Sequence, residues 1–149
     1  MSAVFAQAGQ HQRVRTDTFV SGGSYLKSPL ALIVEDHLAS AEFFATALGE
    51  SGFETEVIRS GQDALDRLAK VVPDMIILDL NLPGVHGSEL LKSVRSDQRM
   101  ADTHVIITTT HWQEAEEVEQ EADLVILKPV GFEQLRDLAS RFLPKEPKT

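Results

Sequence analysis

The chain has 149 residues, a length that suits one domain with a sizeable hydrophobic core. With 14 lysines and arginines against 23 aspartates and glutamates, its formal net charge is −9, which argues against a protein that binds nucleic acid without sequence preference. The absence of cysteine excludes disulfides and thiolate sites, and no apolar run approaches the roughly 18 residues of a membrane span.

The first 29 residues do not show the periodicity of a helix or a strand. They are rich in Gln, Ser, Gly and Thr, and Ser21–Ser24 reads SGGS, which is typical of a turn or a linker. We expect residues 1–29 to form a flexible tail. The alternative is a segment that becomes ordered on a partner or on a second copy of the chain.

From Leu30 onwards, five stretches predict β-strands. In chain order they read LALIVED, FETEVI, MIILD, HVIITTT and LVILK, beginning at Leu30, Phe53, Met75, His104 and Leu124. The second stretch alternates between apolar and polar residues, which predicts a less buried strand. The others are nearly continuous apolar runs, as in strands that are buried on both faces.

Each predicted strand is followed by a helical pattern of apolar residues. These patterns run through Ala41–Leu48, Ala64–Ala69, Leu90–Val94, Trp112–Ala122 and Leu135–Phe142, and the fourth has a thin apolar face. Strands that alternate with amphipathic helices predict a doubly wound α/β domain, in which right-handed crossovers cover both faces of a parallel sheet. We expect this domain to span residues 30–143, followed by a C-terminal tail over 144–149.

Polar residues follow the apolar strands at their carboxyl ends. The first strand ends on Glu35 and Asp36, the third on Asp79, the fourth on Thr108–Thr110 and the fifth on Lys128. Each of these residues has an ordinary structural explanation when it is taken alone. A parallel sheet, however, brings the carboxyl ends of its strands to one crevice, and that crevice is where such folds bind ligands.

The residue types at these ends indicate phosphoryl chemistry. Three carboxylates held close together repel one another unless a cation lies among them, and Mg²⁺ prefers such oxygen ligands. The sequence has no EF-hand spacing, no paired histidines, no phosphate-binding glycine loop and no nucleophile elbow. A carboxylate nucleophile beside a divalent metal, with a hydroxyl and an ammonium nearby, is the equipment of phosphoryl transfer to aspartate.

Residues 30–143 resemble a response-regulator receiver domain of a two-component system. The stretches that carry the resemblance are LIVEDH, LDLNLPGVHG, VIITTT and LKPV, in this order along the chain. The resemblance implies a flavodoxin-like, five-stranded parallel sheet of order 2-1-3-4-5 with helices on both faces. It also implies a single-domain phosphoacceptor that is not an enzyme beyond its own phosphoryl transfer and autodephosphorylation.

The resemblance further implies a role for each residue at the strand ends. Asp79 would be the phosphoacceptor, Thr109 and Lys128 would contact the phosphoryl group, and the bond between Lys128 and Pro129 would be cis. The Mg²⁺ ligands would be Glu35, Asp36, Asp79 and the backbone carbonyl of Asn81. The phosphoryl donor would be a histidine kinase or a phosphotransfer protein. Together with the composition, this leads us to expect a cytoplasmic protein whose partners are proteins, with no nucleic acid and no membrane among them.

The sequence departs from the family pattern around the fourth helix. Val125 stands where the family commonly has an aromatic residue that moves with the threonine, and the 19 residues from Thr109 to Lys128 are fewer than is common. We therefore expect a short or displaced fourth helix. The segment is also acidic, with no Lys or Arg between His111 and Lys128, which fits either a solvated face or a docking surface for a basic partner, within residues 112–135.

Two other functions remain open at this point. The departures at Val125 and in the fourth helix favour a binding module of the same fold that does not switch by phosphorylation. An aspartate-nucleophile phosphatase of the haloacid-dehalogenase type would need a second aspartate two residues after Asp79, where this chain has Asn81.

Overall fold

The structure, a computed structural model, describes the backbone of residues 11–14, 18–20 and 24–26 and all of residues 28–145. The strands in these ranges are β1 (His11–Val14), β2 (Thr18–Val20), β3 (Ser24–Leu26), β4 (Leu30–Val34), β5 (Glu54–Ile58), β6 (Met75–Asp79), β7 (His104–Thr109) and β8 (Leu124–Leu127). The α-helices are α1 (Leu38–Ser51), α2 (Gly61–Leu68), α3 (Gly87–Ser96), α4 (Trp112–Val118) and α5 (Phe132–Ser140), with a 3-10 helix at Gln98–Met100. No helix in the described ranges is long and apolar enough to cross a membrane.

Five parallel strands form the centre of the main sheet in the order β5-β4-β6-β7-β8. Numbered from β4, this order is 2-1-3-4-5, so the predicted doubly wound, flavodoxin-like fold is confirmed. The order reverses between β4 and β6, because β5 lies on one side of β4 while the later strands continue on the other. The carboxyl ends of β4 and β6 therefore border the crevice in which this fold binds ligands.

The N-terminal segment adds strands that the sequence analysis did not predict. β1 pairs antiparallel with β5 at the edge of the main sheet, which makes that sheet six-stranded, and β2 and β3 form a separate antiparallel pair. The flexible tail predicted over 1–29 otherwise falls largely outside the described residues, as does the part of the C-terminal tail over 146–149. For those residues it stays a prediction.

β5 is more buried than its alternating sequence predicts. Glu54, Thr55 and Glu56 expose 1%, 1% and 0% of their surface. One reason is that β5 lies between β4 and β1 and is therefore not an edge strand. Another is that the Arg67 guanidinium from α2 covers Glu56, with Nε 2.6 Å from Oε1 and Nη2 3.2 Å from Oε2. The acid at Glu56 thus reflects a buried ion pair and not an exposed face.

The core consists of two apolar layers, one on each face of the sheet. Because successive strand residues point to opposite faces, Ile33, Ile77 and Ile106 pack in one layer, and their neighbours Val34, Leu78 and Ile107 pack in the other. The first layer packs against Phe44, Leu48 and Leu135 of α1 and α5, and the second packs against Leu68, Leu90 and Val118 of α2, α3 and α4. The amphipathic pattern of the helices follows from this division.

The α4 helix is short, as expected, and ends at Val118, its one buried residue. The connection from α4 to β8 is held by Arg95 of α3. The Arg95 guanidinium donates to the carbonyl oxygens of Glu121 and Thr103, at 2.6 and 3.0 Å, and to the Asp123 carboxylate at 2.8 Å. Burial acts to raise the pKa of Asp123, but bonds from the Val105 N–H and Arg95 outweigh it, and the pKa lies below its ordinary value.

Candidate functional site

Three acidic side chains meet at the carboxyl ends of β4 and β6. Glu35 follows β4 and is 1% exposed, Asp79 ends β6 and is 6% exposed, and Asp36 is half-buried beside them. One carboxylate oxygen from each of the three lies within 4.8 Å of the others. This set of oxygen ligands fits a hard divalent cation such as Mg²⁺.

Lys128 brings a positive charge into this group from the end of β8. Its Nζ donates to Glu35 Oε1 at 2.6 Å and to Asp79 Oδ2 at 3.3 Å. Burial acts to lower the pKa of Lys128, but the hydrogen bond and charge of Glu35, together with Asp79, raise it above the ordinary value. The Lys128–Pro129 bond is cis, as predicted.

The Glu35 carboxyl is the group whose ionisation the site perturbs most clearly. Burial raises its pKa from 4.5 to about 7, although the hydrogen bond from Lys128 acts against this shift. Within the same net shift, the neighbouring Asp79 also acts to raise the pKa, and the His37 N–H, 3.2 Å from Oε2, acts to lower it. A carboxyl group that resists ionisation in this way gains most from a cation that binds beside it.

The backbone after Asp79 folds tightly against the site. The Asn81 N–H donates to Asp79 Oδ1 at 3.0 Å, which fixes one oxygen of the carboxylate. Gly87, at the start of α3, lies so close that a Cβ there would stand 2.6 Å from Leu80 Cα and 2.7 Å from the Asp79 carbonyl oxygen. A glycine is therefore required at this point. The Asn81 side of the loop is exposed, and the role of its carbonyl as a metal ligand stays a prediction.

Thr109 is fully buried, and its hydroxyl is bonded to the start of α4. Its Oγ1 accepts from the His111 N–H at 3.1 Å and donates to Glu114 Oε2 at 3.2 Å. The other predicted site residues converge on Asp79, whereas the Thr109 hydroxyl is engaged with α4. The sequence alone did not indicate Glu114 as a site residue. The signal for it was an acid in the first turn of the helix that begins three residues after Thr109.

Thr108 presents the one buried side-chain polar atom without a hydrogen-bond partner among the described residues. It pairs in register with Asp79 on the neighbouring strand. By the alternation of β7, its side chain lies on the sheet face that packs against α1 and α5. The Thr108 hydroxyl is therefore buried without a hydrogen-bond partner, on the strand next to Asp79, and this costs stability.

A groove of about 480 Å³ opens beside Lys128. It lies between the N-terminal half of α1 and the residues that follow β8. Its lining is mainly apolar, with Ala39, Phe43, Phe44, Pro129 and Val130 among its residues. A partner that reaches the acidic group from this side would contact an apolar surface.

Comparisons with known proteins agree with this geometry. A model of the response regulator receiver domain matches residues 31–140. The chain is 30% identical over 105 residues to the two-component response regulator PhoP of Pseudomonas aeruginosa, covering 70% of this chain and 47% of that protein. It is 28% identical over 118 residues to the sporulation initiation phosphotransferase F of Bacillus subtilis, covering 76% and 92%. The structure of the chemotaxis response regulator CheY4 of Vibrio cholerae matches with a TM-score of 0.71 at 28% identity, covering 77% and 98%.

Several of the curated relatives are longer than the matched segment. The chain spans about half of these proteins, at 47% and 46% of their length for two of them. Some relatives, such as MtrA of Mycolicibacterium paratuberculosis, are named as DNA-binding response regulators. The expectation that nucleic acid is not a partner therefore finds no support among these relatives.

The raised pKa of Glu35 predicts how stability depends on pH in protein kept free of metal. The carboxyl ionises near 4.5 in its ordinary state and near 7 in the folded protein. Between these values the folded state binds more protons than the unfolded state, so stability falls as the pH rises. We expect the free energy of unfolding, measured with urea in EDTA, to decrease from about pH 5 to about pH 8. The decrease should be smaller in Glu35→Gln, and equal decreases in the two proteins would contradict the assignment.

The unpartnered hydroxyl of Thr108 predicts a stabilising substitution. Thr108→Val keeps the shape of the side chain and removes the buried polar group, so the free energy of unfolding should rise by about 1 kcal/mol. Thr103→Val is the matched control, because Thr103 is 3% exposed and its hydroxyl donates to the Pro73 carbonyl oxygen at 2.7 Å. We expect that control to destabilise the protein. If Thr108→Val destabilises it as well, the Thr108 hydroxyl has a partner.

Proposed function

The chain belongs to the response regulator receiver domain family, and on this premise we propose that it accepts a phosphoryl group on Asp79. The family is a signalling module of two-component systems and not a classical enzyme. The observation that carries the proposal is the convergence of three carboxylates and the Lys128 ammonium at the carboxyl ends of the strands. The donor would be a histidine kinase or a phosphotransfer protein.

In the proposed reaction an Asp79 carboxylate oxygen attacks phosphorus in line with the bond to the donor. The new bond is an acyl phosphate, and the bond from phosphorus to the donor nitrogen breaks. The Asn81 N–H, already bonded to Asp79 Oδ1, orients the carboxylate. Lys128, 3.3 Å from Asp79 Oδ2, would move its ammonium to a phosphoryl oxygen and offset the added charge.

The proposed reaction also requires a divalent cation. Receiver domains generally bind Mg²⁺ at an acidic pocket, and Glu35, Asp36, Asp79 and the Asn81 carbonyl would hold it here. When bound, Mg²⁺ neutralises charge on the phosphoryl oxygens. Glu35 would then be ionised, because the cation supplies the charge that burial denies to its carboxylate. Water would later hydrolyse the acyl phosphate, and this autodephosphorylation would return Asp79 to its carboxylate form.

The alternative is a receiver-fold module that binds a partner without a phosphorylation switch. The observation that favours it is Val125, which stands at the position of the usual aromatic switch residue and packs against the core layer of α2 and α3. A packed valine cannot make the rotation that the aromatic residue makes in the family. This alternative differs from the main proposal in whether Asp79 is phosphorylated.

We further propose that a downstream protein docks on α4 and the edge strand β8, within residues 112–135. Two large apolar side chains are exposed there, Trp112 at 56% and Leu127 at 50%. The same segment carries the exposed acids of α4 and the following turn, which include Glu116, Glu117 and Glu119. A partner that fits this surface would present basic residues around an apolar contact.

Phosphorylation can be tested directly with acetyl phosphate and Mg²⁺. We expect intact mass spectrometry to show one added phosphoryl group on the wild type, and none when Mg²⁺ is removed with EDTA or when the protein is Asp79→Asn. Asp102→Asn is the matched control, because Asp102 is exposed and distant in sequence from the acidic group. Labelling of Asp79→Asn would contradict the site. Failure of the wild type to be labelled by either acetyl phosphate or its kinase would favour the binding module.

The docking surface can be tested by affinity capture on the immobilised protein in Mg²⁺ and beryllium fluoride, a phosphoryl mimic. We expect a basic protein to be captured at low salt and lost at high salt, because surface charge pairs are screened. The paired variant Glu116→Gln and Glu117→Gln should reduce this capture. The control pair Glu89→Gln and Asp102→Asn removes the same charge elsewhere and should not. Equal capture by both pairs would contradict the proposed surface.

A further inference from the structure

The hydrogen bond that the Thr109 hydroxyl makes in the structure competes with its proposed bond to a phosphoryl group. A threonine hydroxyl has a single proton and can donate one hydrogen bond at a time. In the structure the nearer acceptor for that proton is Glu114 Oε2 at 3.2 Å, and the His111 carbonyl oxygen lies farther away at 3.5 Å. A bond from the same proton to a phosphoryl oxygen on Asp79 would therefore require the bond to Glu114 to break.

We propose that Glu114 is a positioning residue that holds Thr109 in the unphosphorylated state and links the state of Asp79 to α4. This inference rests on the proposed function, since it concerns how phosphorylation is passed on. Phosphorylation would draw the Thr109 hydroxyl to a phosphoryl oxygen and release the Glu114 carboxylate. The N-terminal turn of α4 would then lose a bond that ties it to the end of β7.

This bond belongs to a set of polar contacts at the start of α4. The His111 N–H donates to Thr109 Oγ1 at 3.1 Å, and the Glu114 N–H donates to the His111 carbonyl oxygen at 3.1 Å. Thr109, His111 and Glu114 thus form a closed set of contacts at the start of the helix. The helix has no side-chain hydrogen bond at its N-cap, and Val118 is its one buried residue. Loss of the Glu114 bond should therefore affect where α4 lies.

The bond between Thr109 and Glu114 also connects the site to α4, a connection that Val125 cannot make. Leu127 and Val125 lie on β8, opposite Thr109 and Ile107 of β7, and Val125 is packed against the core. The coupling that an aromatic residue would give through β8 is absent from this position. The Thr109–Glu114 bond connects the strand end directly to α4, on the surface proposed for partner binding.

The test measures binding of beryllium fluoride in Mg²⁺ by the emission of Trp112, the single tryptophan of the chain, at the start of α4. Glu114→Ala removes the competing acceptor, so we expect it to bind about tenfold more tightly than the wild type, equivalent to about 1.4 kcal/mol. Its emission without ligand should shift toward that of the liganded wild type. Asp102→Ala removes an exposed acid outside this helix and should leave both measurements unchanged.

A second variant separates the hydrogen bond from the charge. Glu114→Gln removes the negative charge but keeps an oxygen that can accept from Thr109, as a weaker neutral bond. We expect its affinity to lie between those of the wild type and Glu114→Ala. If Glu114→Gln and Glu114→Ala bind equally tightly, the effect is charge repulsion alone and the inference is wrong.

A double-mutant cycle with Thr109→Val makes the inference specific to this pair. Without the Thr109 hydroxyl there is no bond to compete with, so Glu114→Ala should no longer increase the affinity. An equal increase with and without the hydroxyl would overturn the inference.

The labelling of Asp79 separates failure of this inference from failure of the proposed function. If the wild type is labelled on Asp79 but Glu114→Ala binds beryllium fluoride no more tightly than the wild type, the inference fails and the proposed function stands. If the wild type is neither labelled nor bound by beryllium fluoride, both fail.

Discussion

The contact on which the rest of the site depends is the bridge from Lys128 to Glu35 and Asp79. It joins the ends of β4, β6 and β8, and β7 lies between the last two. Without the ammonium, two nearly buried carboxylates would repel each other, and this repulsion would lower the stability of the folded state. Removing one member of such a buried group typically costs about 3–5 kcal/mol, because the remaining charge is left without a partner. The sheet order therefore brings these charges together, and the site depends on the ammonium that pairs with both carboxylates.

The site departs from what folding alone would select. The pKa of Glu35 is raised to about 7 by burial, and the Thr108 hydroxyl is buried without a partner. Both features lower the stability of the unliganded protein, yet both lie at the same edge of the sheet, and a cation bound there would favour the ionised form of Glu35. Locally destabilising features of this kind are expected at functional positions, because the residues there serve the chemistry of the site and not stability alone.

The sequence predicted the central fold and the meeting of Glu35, Asp36, Asp79 and Lys128, because both depend on periodicity and on strand ends that a parallel sheet must bring together. It did not predict β1, because four residues are too few to show a period, and their pairing with β5 is made by the backbone. It also did not predict the bond to Glu114. That bond depends on how the loop after β7 turns, which residue spacing does not determine.

How α4 is held has a bearing on how a signal could leave the site. A helix that buries a long apolar stripe moves as part of the core, and shifting it disturbs many contacts at once. The α4 helix buries Val118 alone, and its surroundings are fixed by polar bonds, from Thr109 at one end and from Arg95 to the turn that follows at the other. Polar bonds can be exchanged one at a time without opening the core. A single new acceptor at Asp79 could therefore release one end of α4 while Arg95 keeps the other end in place.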